Sequence, residues 1–257
     1  MKAVIAGLFL ILLSPFYYGY ILKFAASAWV SIKSIGDDAD YPTYKDYGIR
    51  IPNNYSIHGI DVSYYQGKID WPKVKAMDED GVKVGFAFVK ATEGVALVDR
   101  YFQRNWREAA KVGIPCGAYH FFRPRKSGKW QAKFFLQTVD VERGDLPPVV
   151  DVEELNGASP AKMRTELKAY INYIEKKTGV KPIIYTGLSF YKDYLEREFG
   201  DYPLWIAHYY KSKLKLEKSK WDFWQHSDKA HVNGIGYKVD FNVFNGDEEA
   251  FENLLVQ

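Results

Sequence analysis

The chain has 257 residues, of which 47% are hydrophobic and 26% are charged, and its formal net charge is +3. This balance is typical of a folded globular protein and argues against long disordered regions. The weak positive charge does not indicate nucleic-acid binding, which needs a strongly basic surface. We therefore expect no nucleic-acid binding. We also expect a monomer.

The N-terminal segment has the composition of an export signal or a membrane anchor. After Lys2, residues 3–22 contain no charged side chain, and an apolar stretch of this length is typical of both. An Ala-Ser-Ala sequence at 26–28 favours a cleaved signal, whereas the length favours a membrane span. We predict that residues 1–28 are a signal peptide or membrane anchor and that the protein is exported: secreted, periplasmic or anchored at the cell surface. This segment would be its sole contact with a membrane.

Residues 29–56 are polar and have no regular period, which predicts a tether. From residue 57 short apolar runs alternate with amphipathic stretches, which predicts one domain over 57–257. Eight of these runs are candidate strands: IHGIDVS (57–63), VGFAFVKATEG (84–94), IPCGAYHFF (114–122), PPVVDVEE (147–154), KPIIYTG (181–187), LWIAHY (204–209), WDFWQHS (221–227) and YKVDFNVF (237–244).

Helical patterns follow the first five runs. The clearest covers 159–179, where Ser159 can cap the helix, Pro160 fits its first turn and Gly179 can end it. The other four cover 71–81, 99–113, 127–144 and 188–200. Alternating strands and helices imply a parallel sheet with right-handed crossovers. The pattern predicts an α/β fold, a TIM-like barrel of about eight strands and five helices.

Acidic side chains occur at the ends of several predicted strands. Asp151 and Glu153 are separated by one residue, so in a strand they point to the same face. Asp61 ends the first run, Glu93 follows the second, and Asp240 lies in the last, which is next to the first if the barrel closes. Because barrels of this kind carry their chemistry at the C-terminal ends of the strands, we predict that these acids share one cleft.

A group of carboxylates in a cleft is suited to glycoside hydrolysis. The reaction needs one carboxylic acid to protonate the leaving oxygen and a second group to stabilise an oxocarbenium-like transition state. Neighbouring carboxylates cannot easily all ionise, so one keeps its proton near neutral pH. We predict that Glu153 is this acid, because its side chain is longer, and that Asp151 and Asp240 raise its pKa.

The remaining polar residues have simpler interpretations. Glu154 and Asp70 are predicted to be ion-pair partners or caps, while Glu93 could either form an ion pair or bind substrate. Cys116 is the one cysteine, which excludes an intrachain disulfide, and it lies in a strand-like run as a buried apolar side chain would. None of the five histidines is part of an H-E-x-x-H or H-x-H pattern: His58, His120, His208, His226 and His231. We therefore predict no metal site and no cofactor.

The joint pattern of an early DVS-x-x-Q-G, a central D-x-E and a late V-D-x-N resembles the glycoside hydrolase family 25 lysozymes, which are peptidoglycan N-acetylmuramidases. The resemblance covers about residues 57–245 and is carried, in order, by GIDVSYYQGKIDW, FAFVKATEG, GAYHFFRP, PPVVDVEE, PIIYTG, LWIAHY and WDFWQHS. It implies a flattened barrel of eight strands and five helices. The implied reaction is hydrolysis of the β-1,4 bond between N-acetylmuramic acid and N-acetylglucosamine in peptidoglycan glycan strands.

The resemblance also implies roles for individual residues. It puts the family's acid at Glu153, its companion at Asp151, and two further groove aspartates at Asp61 and Asp240. The substrate's own N-acetyl group would be the nucleophile, oriented by Asp151. Four positions match cleft residues that would bind sugar: Tyr119, Tyr185, Trp205 and Gln225. Tyr185 and Trp205 could equally be core residues, and the role of Gln225 depends on which way it faces.

Two other functions remain open from the sequence. Clustered aspartates can hold Mg²⁺ in a metal-dependent hydrolase. The same barrel could also be a non-catalytic wall-binding module, since fold does not determine function. The presence of all four cleft carboxylates favours catalysis, because binding alone does not need a protonated glutamate.

Overall fold

A computed structural model of the protein describes residues 40–217 and 220–257. The predicted signal or anchor segment, 1–28, lies outside the described residues. None of the helices within the described ranges combines the length and the apolar character that crossing a membrane requires.

All eight predicted strands are present, and they form a closed barrel. Each strand pairs with the next along the chain, and the eighth pairs with the first. They are β1 (His58–Val62), β2 (Val82–Glu93), β3 (Cys116–Phe121), β4 (Val149–Asp151), β5 (Ile183–Gly187), β6 (Leu204–Ala207), β7 (Phe223–Ala230) and β8 (Val239–Phe244).

The direction of β8 differs from the predicted parallel sheet. Strands β1 to β7 are parallel, whereas β8 is antiparallel to both of its neighbours. The connection 231–238 between β7 and β8 contains no helix, so the chain turns back at the same end of the barrel instead of crossing over. The beginning of β8 therefore lies beside the C-terminal ends of the other strands.

The five predicted helices are also present, and a sixth follows β8. They are α1 (Trp71–Ala76), α2 (Phe102–Lys111), α3 (Gly128–Thr138), α4 (Pro160–Thr178), α5 (the consecutive segments Leu188–Phe190, Tyr191–Leu195 and Glu196–Phe199) and α6 (Glu248–Leu254). Helix α4 has the predicted ends: the Ser159 side chain accepts from the backbone N–H of Lys162, and Gly179 has a φ of 73°. Helix α1 stops before the predicted residue 81, because Asp78–Glu79 pairs with the start of β2 in a tight hairpin.

Two apolar layers hold the barrel together. Inside it, aromatic rings from β2, β6, β7 and β8 pack on one another, including Phe88 stacked on Trp205 with centroids 4.3 Å apart. Outside it, the alternate residues of the strands pack against the helices. Glycine is required at 59 and 117, because a Cβ there would lie 2.4 Å from the ring of Phe86 and 2.6 Å from the ring of Phe88. The rings fill the barrel below its C-terminal mouth, which leaves the mouth to polar side chains.

Residues 41–51, within the predicted tether, are packed against the barrel and are called the N-terminal strap below. The short strands Thr43–Tyr44 and Ile49–Arg50 pair as a hairpin. Tyr47 between them is fully buried, and its hydroxyl donates to the backbone carbonyl of Val82 at 3.0 Å. This part of the chain is therefore not a free linker. The sequence predicted a linker because this segment is polar and because its two-residue strands are too short to show a hydrophobic period.

Replacing Tyr47 by alanine is expected to lower the free energy of unfolding by about 3 kcal/mol or more, because it removes a fully buried aromatic ring. Denaturant unfolding of the variant measures the effect. The control is Tyr65→Ala, which truncates a tyrosine that is 67% exposed and should change stability little. Equal stability of the two variants would show that the strap does not stabilise the barrel.

Candidate active site

Four of the predicted acids meet at the mouth of the barrel. Asp61 in β1 and Asp240 in β8 are directly opposite each other in the strand register, and their carboxyl groups interact directly. Asp151 is the last residue of β4, and Glu153 follows just beyond the strand. The charge of Glu153 acts on all three aspartates, so the four carboxyl groups form one cluster.

Asp151 and Glu153 point to the same side, as the alternation of a strand predicts. Their carboxyl groups interact directly with each other. Their environments differ: Asp151 is buried, whereas Glu153 is exposed. The pair thus has one carboxyl group that can reach a ligand in the cleft and one held in the wall behind it.

Burial raises the pKa of each aspartate in the cluster. For Asp61 the pKa rises to about 6, although hydrogen bonds from Asn242 and Gln225 oppose the shift. For Asp151 and Asp240 it rises well above the ordinary value, with burial as the main cause and a neighbouring carboxylate as the next. The sequence predicted a raised pKa for Glu153 alone, whereas in the structure burial raises the pKa of all three aspartates.

Gln225 and Tyr185 lie beneath the cleft and support Asp61. The Nε2 group of Gln225 donates to Oδ2 of Asp61 at 2.7 Å. Its Oε1 accepts from the hydroxyls of Tyr185 and Tyr209, each at 2.7 Å. Gln225 and Tyr185 are 2% and 6% exposed, so little of either side chain is open to the cleft, and their contact with sugar stays a prediction.

Trp205 has a similar place. It is 2% exposed, its ring stacks on Phe88, and its Nε1–H donates to Oδ1 of Asn242 at 2.8 Å. Asn242 in turn donates from Nδ2 to Oδ2 of Asp61 at 2.8 Å. Of the two interpretations of Trp205, the core residue is the one the structure favours, because its ring lies inside the barrel.

Asn242, the last residue of the V-D-x-N pattern, and Tyr209 are contacts of this network for which no role was predicted. Asn242 had a signal, because it follows Asp240 by two residues in β8 and so shares its face. Tyr209 ends the predicted run 204–209, but β6 stops at Ala207, so strand alternation does not fix the direction of its side chain. Tyr119, predicted to bind sugar, lies near the cluster: burial first, and then the charges of the aspartates, raise its pKa well above the ordinary value.

Glu93 forms ion pairs, which favours the simpler of its two interpretations over substrate binding. Its carboxylate contacts Lys90 Nζ at 2.8 Å and also the guanidinium of Arg123. Partial burial acts to raise the pKa of Glu93, but the hydrogen bonds from these two cations outweigh it and hold the pKa below the ordinary value. Arg123 also pairs with Glu154 at 3.1 Å, and Asp70 caps α1, in agreement with their predicted roles.

The structure also locates the other reactive residue types. Cys116 is buried in β3, and burial raises the pKa of its thiol. Within residues 40–217 and 220–257, no three His, Cys, Asp or Glu side chains are arranged to hold a metal ion.

Comparisons with known proteins agree with this architecture. The sequence pattern of the glycosyl hydrolases family 25 matches residues 60–235. The protein YegX of Escherichia coli strain K12 is 44% identical over 252 residues, which are 98% of this chain and 93% of YegX. Lysozyme M1 of Streptomyces globisporus is 35% identical over 205 residues, which are 74% of this chain and 68% of that protein.

The fold agrees as well. The solved structure of a family 25 glycosyl hydrolase from Bacillus anthracis superposes with a TM-score of 0.73 at 34% identity, covering 85% of this chain and 99% of that one. The chain therefore belongs to the glycosyl hydrolases family 25 and is a glycoside hydrolase.

Proposed function

We propose that the protein hydrolyses the β-1,4 bond between N-acetylmuramic acid and N-acetylglucosamine in peptidoglycan. Glu153 is the general acid that protonates the leaving oxygen. Asp151 orients the N-acetyl group of the substrate, which attacks the anomeric carbon, and stabilises the positive charge that develops on it. Asp61 and Asp240 form the adjoining wall of the cleft.

The observation that carries this proposal is the position of Asp151 and Glu153, which lie at the end of β4 and two residues beyond it, with carboxyl groups that interact directly. An inverting glycosidase needs carboxyl groups about 6.5–9.5 Å apart to admit a water molecule, and a retaining one with a carboxylate nucleophile needs about 5–5.5 Å. Carboxyl groups that interact directly leave no room between them for a water molecule and lie closer together than either spacing. They fit a reaction in which the nucleophile comes from the substrate and one carboxyl group only assists it.

Family membership and the similarity to lysozyme M1 support peptidoglycan as the substrate. Peptidoglycan lies outside the cytoplasmic membrane, so this substrate is consistent with an exported protein. We propose that residues 1–28 export or anchor a catalytic domain that includes the N-terminal strap.

Mass analysis of the fragments that the protein releases from purified peptidoglycan tests the proposal. We expect muropeptides with N-acetylmuramic acid at the reducing end, in the presence or absence of a metal chelator. Reducing-end N-acetylglucosamine would identify a glucosaminidase instead. Activity lost in chelator would favour the metal-dependent hydrolase, and binding without release would favour the non-catalytic module.

A further inference from the structure

The buried side-chain amides of Asn242 and Gln225 hold Asp61, and the orientation of the Asn242 amide is fixed by Trp205. The indole Nε1–H of Trp205 can donate a hydrogen bond but cannot accept one. Asn242 must therefore turn its Oδ1 toward Trp205, at 2.8 Å, and its Nδ2–H toward Oδ2 of Asp61, also at 2.8 Å. Asp61 Oδ2 is consequently an acceptor.

The orientation of the Gln225 amide must be compatible with that of Asn242, because both contact the same oxygen of Asp61. Gln225 Nε2 lies 2.7 Å from the same Oδ2 atom, and its Oε1 accepts from the hydroxyls of Tyr185 and Tyr209. A flipped Gln225 would set its Oε1 against an oxygen that already acts as an acceptor, which is repulsive. Oδ2 of Asp61 therefore accepts two N–H donors, and such donors favour the ionised form of a carboxyl group.

Asp61 and Asp240 are directly opposite each other in the strand register, and two carboxyl groups this close cannot easily both ionise, so the pair holds one proton. We propose that Gln225 and Asn242 are positioning residues that keep Asp61 ionised, so that the shared proton is held on Asp240. The catalytic meaning of this arrangement rests on the proposed function, whereas the place of the proton does not.

The electrostatics of the cluster support this assignment. Burial raises the pKa of Asp61 to about 6, which leaves it ionised at neutral pH, whereas burial and the charge of Asp61 raise the pKa of Asp240 well above its ordinary value. Other titratable groups on the described elements around the pair also act on it or on its neighbours: Asp151 and Glu153 at β4, Asp228 on β7, Tyr119 on β3, Tyr185 on β5 and Tyr209 after β6. The acids among them add negative charge, which disfavours ionising both members of the pair.

The arrangement gives the cleft a specific chemical character. The pair carries one negative charge instead of two, and that charge lies on the buried Asp61, where the two amides stabilise it. Asp240, which is partly exposed at the mouth, then presents a neutral carboxyl group whose free oxygen can accept a hydrogen bond from an N–H or O–H of a sugar. Its neutrality also limits the repulsion at Glu153.

Carbon-13 NMR of the full chain with labelled aspartate carboxyl groups tests the proposal without any need for catalysis. At pH 7 we expect a protonated carboxyl signal that disappears in Asp240→Asn, and an Asp61 signal that titrates separately at lower pH. If no protonated signal depends on Asp240, the proposal is wrong.

The role of the amides is tested by Gln225→Met, which removes one donor and introduces no charge. We expect the titration midpoint of Asp61 to rise by about one pH unit. The acidic limb of the pH–rate profile on peptidoglycan should shift to higher pH by a similar amount. Tyr209→Phe removes one hydroxyl that orients Gln225 and should give a smaller shift in the same direction, even if Gln225→Met does not fold. Gln103→Met, an exposed amide on α2, is the matched control and should shift nothing.

An unchanged Asp61 midpoint in both Gln225→Met and Tyr209→Phe would overturn the assignment of the amides. The two proposals can fail separately. A protonated Asp240 in a protein that releases no muropeptides would contradict the proposed function alone, whereas muropeptide release with an ionised Asp240 would contradict only the present inference.

Discussion

Replacement of Glu153 by glutamine is expected to reduce kcat on peptidoglycan by about a hundredfold to ten-thousandfold, the range that a general acid contributes. Glutamine has nearly the same length and can still form hydrogen bonds, but it has no acidic proton to transfer to the leaving oxygen. Because Glu153 is exposed and lies beyond the end of β4, the substitution should leave the fold intact. The measurement is the rate of reducing-end release, with sedimentation of the variant on insoluble peptidoglycan to confirm that binding persists.

The adjacent residue supplies a matched control. Glu154 is also an exposed glutamate, but it pairs with Arg123 and has no place in the carboxyl cluster. Glu154→Gln should therefore keep the wild-type rate within about twofold, since an exposed ion pair contributes little. Equal losses in the two variants, or no loss in Glu153→Gln, would remove Glu153 from the role of general acid.

Asp151→Asn is the second substitution with a large expected effect. We expect kcat to fall by about a hundredfold or more, the size associated with removing one electrostatic contact to a transition-state charge. Asparagine fills the same space, but it cannot carry the negative charge that stabilises the acetamido group as it attacks. KM should change little, because the charge develops only in the transition state.

A change in the substrate tests the same idea from the other side. Peptidoglycan whose muramic acid has lost its N-acetyl group lacks the proposed nucleophile and should resist cleavage by the wild-type protein. The control for Asp151→Asn is Asp145→Asn, which changes an aspartate just before the N-terminal end of β4 and should leave the rate on ordinary peptidoglycan unchanged. Normal cleavage of the de-N-acetylated polymer would rule out a nucleophile supplied by the substrate.

The eight barrel strands could be predicted because most of them are buried on both faces and so appear as short apolar runs. The grouping of Asp61, Asp151, Glu153 and Asp240 then followed from the rule that strand ends meet at the mouth of a barrel. The direction of β8 could not be predicted in this way, because an apolar run has the same pattern whichever way it runs.

The facing of individual side chains was harder to predict. Trp205 lies in the apolar run LWIA and Gln225 lies between Trp224 and His226, so neither sequence shows which face is inside the barrel. The amide network also depends on contacts between strands far apart in the chain. The strap was missed for a different reason: its packing depends on a few buried side chains, Tyr47 above all, in an otherwise polar segment.

Because β8 is antiparallel to its neighbours, the strand that closes the barrel also contributes polar side chains to the cleft. Asp240, Asn242 and Phe244 descend along its inner face from the mouth to the apolar interior, while Phe241 and Val243 face outward. A slip of one residue against β1 would turn the acid and the amide away from the cleft and put apolar side chains in their place. Tyr47 packs on Phe241 with ring centroids 5.0 Å apart, so the strap contacts the outer face of β8. This contact favours the register of β8 against β1 in which Asp240 and Asn242 face the cleft.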